Sequence, residues 1–196
     1  MHSLTIIVTY YNSEEYIQSC IESIKQQRTQ DFEVIIVNDG STDQTEALMK
    51  ESLKDYDKKV NYIKLEENQG HAHARNVAMK EVETPYFMFL DADDELASYA
   101  ITFYLDKFNY TDGLIAPVHS FMLKKPQYVD LDKVKVNYFD GKRNINSFLR
   151  KQTACNIIFR TAIVRAHDLK FNEDLNVYTD LSLIHISEPT RLGMIS

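Results

Sequence analysis

Only two cysteines occur in the 196 residues, Cys20 and Cys155, and they stand far apart in sequence. Cys20 falls on the apolar side of a predicted helix, so the two read as buried thiols rather than a disulfide, and neither is given a chemical role. Glycine is scarce. The five glycines are Gly40, Gly70, Gly113, Gly141 and Gly193, from which neither a dinucleotide fingerprint nor a P-loop can be written. That excludes the common designs of a dehydrogenase or an NTPase. Positive charge is in deficit: 22 Lys and Arg against 29 Asp and Glu give a formal net charge of -7. A duplex-binding surface needs the reverse, so no nucleic-acid partner is expected, although phosphates stay within reach through a cation. No apolar run approaches the roughly eighteen residues of a membrane span, and the N-terminus reads as a strand rather than a cleavable signal. There is no HExxH, and His71 and His73, two apart on a predicted helix, do not share a face as zinc ligands would. They read as structural or pocket-edge residues. Internal repeats and low-complexity linkers are also missing. What remains, 44% hydrophobic and 26% charged residues, suits one α/β domain with a real core.

The pattern along the chain is regular up to Asp94. Apolar, β-branched runs at Leu4–Val8, Phe32–Val37, Val60–Leu65 and Tyr86–Leu90 read as buried strands. Between them, helical periodicity covers Glu14–Gln27, with apolar Tyr16, Ile17, Cys20, Ile21 and Ile24 on one face, and also His71–Val82. Ser41 followed by Gln44 reads as a capping box for a helix reaching about Tyr56. This β-α-β-α-β-α-β series implies a mostly parallel, doubly wound sheet whose ligand sits beyond the strands' carboxyl ends. After Asp94 the pattern loosens. Helices are expected at Leu96–Phe108, Ile145–Lys151 and Thr161–Leu169, with strands at Leu114–Phe121 and Ala154–Phe159. The mixed-sign charge run Lys124–Lys142 reads as a solvated face.

The chemistry concentrates at strand ends. Phe87-Met88-Phe89-Leu90 runs straight into Asp91-Ala92-Asp93-Asp94, three carboxylates within four positions. Carboxylates this close repel one another unless a cation or a hydrogen-bonding ligand joins them. Mg2+ or Mn2+ takes such ligands together with substrate phosphates. A solvated acidic turn capping the next helix is the plainer alternative. Two other strand ends face the same edge: Thr9-Tyr10-Tyr11-Asn12 and Asn38-Asp39-Gly40-Ser41. Tyr11 could stack on a flat base and Asp39 could accept from a pyrimidine N–H. Turn chemistry explains Gly40 and Ser41 equally well, and which of Tyr10 and Tyr11 points inward stays open.

The segments TIIVTYYNSEEYIQSCIESIKQQ, DFEVIIVNDGSTDQT, ENQGHAHARNVAMK and TPYFMFLDADDEL resemble family 2 glycosyltransferases in order and spacing, over residues 4–96. The resemblance implies an α/β, Rossmann-like GT-A fold, a mostly parallel sheet with helices on both faces, truncated here on the acceptor side. It implies that Thr9, Tyr11, Asp39, Arg75 and Asp91 bind a nucleoside diphosphate sugar, with UDP as the expected nucleotide. Asp39 would bind uracil, Tyr11 would pack on the base, and Asp91 would face the ribose. Asp93 would ligate Mn2+ or Mg2+, with Asp94 assisting through water or a backbone contact.

Further along, AIVRAHDLKFNEDLNVYTDLS resembles the family's acceptor-side segment. Asp180 stands at the catalytic base position, Thr179 replaces the usual Glu, and Glu173 and Asp174 are weaker rivals. The implied reaction is one in-line displacement with inversion, Asp180 taking the acceptor proton. The acceptor would be a saccharide, a lipid-linked saccharide or a teichoic acid. Residues 1–181 as a whole resemble the amino-terminal region of bacterial teichoic acid polymerases, which leaves a non-catalytic nucleotide-sugar-binding module as the alternative. A nucleotidyltransferase is a further rival, and a metal-dependent glycosidase fits least. The expected division is a nucleotide-sugar half, 1–112, an incomplete acceptor half, 113–181, and a tail, 182–196, that resembles translated sequencing-adapter read-through. The expected location is cytoplasmic, at most peripheral to the inner face of the cell membrane.

Overall fold

The structure is a computed structural model that describes residues 3–108, 114–115, 138–139, 155 and 158–175. Four strands, β1 (Leu4–Tyr10), β2 (Phe32–Asn38), β3 (Val60–Lys64) and β4 (Tyr86–Asp91), alternate with helices α1 (Ile17–Lys25), α2 (Thr45–Ser52) and α3 (His71–Lys80). Then follow α4 (Ala100–Phe108), the short strands β5 (Leu114–Ile115), β6 (Tyr138–Phe139) and β7 (Ile158–Arg160), and α5 (Thr161–Ala166). The sheet order is β3-β2-β1-β4-β7-β5-β6. The first four strands are mutually parallel, whereas β7 runs antiparallel to β4 and to β5, and β5 antiparallel to β6.

Continuous apolar runs make β1, β2 and β4 buried on both faces, as a sheet covered by helices on each side requires. Alternation then sorts the side chains. Ile6, Val8 and Tyr10 of β1 join Ile17, Cys20, Ile21 and Ile24 of α1, Met49 of α2 and Ile101 of α4. Ile7, on the opposite face, joins Ala72, Ala74 and Ala78 of α3, with Phe87 and Phe89 of β4 and Val164 of α5. Small alanines let α3 lie close to the sheet. Each fully buried Ile or Leu contributes about 1.5–3 kcal/mol relative to exposure, which makes this central layer the main source of stability.

Register positions the site. Thr9 pairs with Val37 on one side and Asp91 on the other, and Tyr10 pairs with Asn38. Three strands thus finish level at one edge, where Tyr11, Asp39 and Ala92 begin their loops.

Two local expectations are corrected. Helix α2 begins at Thr45, not after Ser41, and ends at Ser52. Asp43 Oδ1 accepts from the Thr45 amide at 3.0 Å and from its hydroxyl at 2.6 Å. The Ser41–Gln44 capping box does not form, because Ser41 Oγ instead accepts from the Asn12 amide at 3.0 Å. Helix α4 starts four residues later than Leu96, because the intervening chain is tied to α1. The Leu96 amide donates to Ser23 Oγ, and Gln27 donates to Ala97 O while accepting from the Ile101 amide. The helix expected at Ile145–Lys151, the solvated face at Lys124–Lys142 apart from β6, the tail 182–196 and the boundary at 112/113 lie outside the described residues.

Candidate functional site

A cleft of about 550 Å3 opens at the carboxyl edge of β1, β2 and β4, lined by Thr9, Tyr11, Asp39, His71, Asp91 and Asp93 among others. Its floor is made by the level strand ends and its walls by two laced loops. Asn12, at φ 46, accepts from the Thr42 amide through Oδ1 at 2.9 Å while its own amide donates to Ser41. The Ser13 amide donates to Thr45 Oγ1 at 2.7 Å, and the Gln44 amide to Glu14 Oε2 at 3.1 Å. These bonds hold Tyr11 outward. It is 44% exposed, whereas Tyr10 is 3% exposed and packs inward with its hydroxyl 3.5 Å from that of Tyr62. Tyr11 is therefore the ring offered to the cleft.

Asp39 is buried, and its two carboxylate oxygens accept from the Gln69 and Gly70 amides at 2.9 and 3.0 Å. It thereby fixes the loop that leads into α3. Gly40, at φ +69, lets that loop come close: a Cβ there would stand 2.4 Å from the Glu67 carbonyl carbon. Glycine is required twice over, by backbone sign and by space.

The acidic cluster closes into a turn, with the Asp94 amide donating to Asp91 O at 3.0 Å. One carboxylate oxygen from each of Asp91, Asp93 and Asp94 can lie within 4.8 Å of the others. Burial, followed by the charges of Asp91 and Asp93, pushes the Asp94 carboxyl up to about 6. Three hard oxygen donors this close fit Mg2+ or Mn2+.

Behind the cluster, Arg75 is 1% exposed. Its Nη2 donates to Asp91 Oδ1 at 3.0 Å and to Cys155 Sγ at 3.6 Å, and its guanidinium lies 5.1 Å from the Phe89 ring centroid and 5.3 Å from that of Phe171. His71 Nε2 lies 3.5 Å from both Asp91 Oδ1 and Thr9 Oγ1. Burial alone would raise the Asp91 carboxyl. Hydrogen bonding by His71, the Arg75 charge and the Cys155 thiol outweigh burial and hold it well below the usual carboxylate range.

Thr9, Tyr11, Asp39, Asp91 and Asp93 are thus brought to one cleft, with Arg75 reaching it through Asp91. Asp180 and Thr179 lie outside the described residues. Sequence reasoning gave no role to Cys155 or Asn76, and read His73 only as structural or pocket-edge. Cys155 touches Arg75 across 80 positions. Asn76 and His73 hold Glu173. No local signal marks such long-range partners, although the place of His73 and Asn76 on the same helix as Arg75 was visible.

A parallel sheet carrying a base-sized aromatic and a carboxylate cluster at its carboxyl edge defines a GT-A-type fold. The chain belongs to glycosyl transferase family 2, whose sequence model matches residues 5–168. It is 74% identical over 184 residues to a teichoic acid poly(glycerol phosphate) polymerase of Staphylococcus epidermidis, covering 94% of this chain and 26% of that protein. The chain therefore spans about a quarter of that relative. Its structure is similar to that of S. aureus TarS 1-349 in complex with UDP-GlcNAc, with a TM-score of 0.70 and 25% identity over 93% of this chain and 52% of that one. It also shares the fold of a Pyrobaculum calidifontis mannosyltransferase in complex with GDP-Man and Mn2+, with a TM-score of 0.67 and 19% identity, covering 93% of this chain and 51% of that one.

Proposed function

We propose that the chain binds a UDP-sugar in this cleft with Mg2+ or Mn2+ and transfers the sugar, with inversion, to an acceptor hydroxyl in cell-wall polymer synthesis. The carrying observation is the convergence of Tyr11, Asp39, Asp91 and Asp93 on one cleft. Tyr11 packs on the base, and Asp39 orders the 66–70 loop beside the base while its remaining lone pairs accept from the pyrimidine. Asp91, oriented by Arg75 and His71, accepts from the ribose. Asp93 would hold the cation, with Asp91 and Asp94 able to contribute a carboxylate oxygen each. A bound divalent cation there offsets negative charge on the departing diphosphate. Asp180 serves as the general base for the acceptor hydroxyl, a role worth about a hundred- to ten-thousandfold in rate. Residues 1–112 form the donor half and 113–181 the acceptor half. UDP fits the complex of the similar TarS structure, and a teichoic acid acceptor fits the name of the 74% identical relative.

That same name favours a second reading, a nucleotide-sugar-binding module within a longer polymerase that does not itself transfer sugar. A thermal-shift and turnover screen of UDP-sugars, with and without Mn2+, separates the two. Stabilisation follows RT ln(1 + [L]/Kd), so the donor registers even where turnover is silent. Stabilisation with UDP release supports transfer, and stabilisation alone supports the module. Neither response from any UDP-sugar would contradict both.

A further inference from the structure

Helix α3 carries more than the donor site. Arg75 faces Asp91, while the neighbouring Asn76 turns to a segment about a hundred positions later. Asn76 Nδ2 donates to Phe171 O at 2.9 Å and Oδ1 accepts from the Phe171 amide at 2.8 Å, so one carboxamide satisfies both backbone groups of a buried residue. The same Nδ2 donates to Glu173 Oε1 at 2.7 Å, and His73 Nδ1 lies 3.0 Å from Glu173 Oε2. Phe171 in turn lies over the Arg75 guanidinium and packs edge-on against Phe89. A single turn of helix thus grips the Asp91 side of the cleft with one residue and the Phe171–Glu173 segment with two others.

We infer that Asn76, His73 and Glu173 are positioning residues for transfer, fixing the segment that leads to the acceptor side against the same helix that orients the donor. This rests on the reading of the cleft as a donor site. Glu173 is 47% exposed and each of its oxygens is already engaged by α3. Its hydrogen bonds from Asn76 and His73 are those of a tether, and they hold its carboxyl below the usual range, which makes it a weaker base than a free Glu. Asp180 stands seven residues beyond Glu173 in sequence, so the tether at Glu173 bears on transfer rather than on donor binding. Misplacement by about 1 Å can cost up to about a hundredfold in rate without loss of binding.

The test uses the full chain with Glu173→Ala, Glu173→Gln and Asn76→Ala. UDP affinity is measured by calorimetry with Mn2+, and UDP release from UDP-GlcNAc is measured with water as acceptor. Glu173 is at the surface, so its variants fold, while Asn76→Ala leaves buried Phe171 groups unpaired and is interpreted only alongside its melting curve. Glu173→Ala is expected to keep UDP affinity within about twofold and lose about tenfold in kcat with KM little changed. Glu173→Gln restores most of the loss, since Oε1 still accepts from Asn76. Unchanged release in Glu173→Ala overturns the inference, as does a loss of UDP affinity equal to the loss of release. An unsubstituted chain that binds UDP and releases none from UDP-GlcNAc also overturns it, while leaving the donor site standing. Failure of the unsubstituted chain to bind UDP overturns the donor reading itself.

Discussion

Arg75 and Asp91 form an ion pair at 3.0 Å in which the guanidinium is 1% exposed, packed against Phe89 and Phe171. An arginine so deeply placed is held by its partner and by aromatic faces, and removing it strands a carboxylate that burial already disfavours. Arg75→Ala is expected to lower unfolding free energy by about 3 kcal/mol, the low end for breaking a buried pair because Asp91 keeps some solvent contact. Urea denaturation checks this. A loss below about 0.5 kcal/mol, typical of an unremarkable surface change, would show that the pair is not structural.

The two tyrosines at the end of β1 should separate cleanly. Tyr11→Ala is expected to leave stability within about 0.5 kcal/mol of the parent and to weaken UDP binding by about 1–3 kcal/mol, the range for an aromatic stacked on a base. Tyr10→Ala should instead destabilise by about 3 kcal/mol or more, as loss of a buried aromatic does. Denaturation and calorimetry on both variants decide, and equal UDP affinity in Tyr11→Ala would remove it from the base site.

The glycines make a second pair. Gly40→Ala meets the backbone of Glu67 and Asn68 at a positive φ, while Gly70→Ala, at φ +95, meets nothing within 4 Å. The first should cost more than the second, because overpacking of about 1–3 kcal/mol adds to backbone strain there, whereas Gly70→Ala carries strain alone at φ 95 and ψ 156. Loosened UDP binding in Gly40→Ala is expected too, since the loop it disturbs is the one Asp39 fixes. Equal melting temperatures for the two variants would mean that the loop yields.

Much of this was readable before the fold. The continuous apolar runs of β1, β2 and β4 announced buried parallel strands, and three of them end in polar residues that share an edge. The parity of β1 would have settled Tyr10 against Tyr11 had the strand been extended by two residues, because Ile6, Val8 and Tyr10 alternate onto one face. Ser41 misled because its hydroxyl had two plausible backbone partners, and the Asn12 loop took it. Asn76–Glu173 and Arg75–Cys155 were beyond reach, since contacts across 80 or more positions have no periodic signature. The base position at Asp180 rests on resemblance alone.

Glu46 supplies a pH test outside the cleft. It accepts from Lys50 and Lys64 at 2.6 Å each, and these hydrogen bonds lower its carboxyl to about 2. A folded-state pKa below the unfolded value contributes stability above the unfolded pKa that is lost as pH falls through the folded one. Glu46→Gln should therefore be less stable than the parent at pH 7 by about 0.5 kcal/mol, a typical surface value. The gap should close between about pH 4.5 and pH 2, in the interval between the two pKa values. A gap that persists at pH 2 would assign the difference to packing rather than charge.

The proposed donor site needs a cation at the Asp91–Asp93–Asp94 cluster to join a uridine diphosphate to this cleft. Calorimetry of UDP with and without Mn2+, on the unsubstituted chain and on Asp93→Ala, tests it most directly. Mn2+ is expected to tighten UDP binding in the unsubstituted chain, and Asp93→Ala to abolish this gain while retaining the weaker, cation-independent binding. UDP affinity that is identical with and without Mn2+ in the unsubstituted chain, or a Mn2+ effect that survives Asp93→Ala intact, would contradict it.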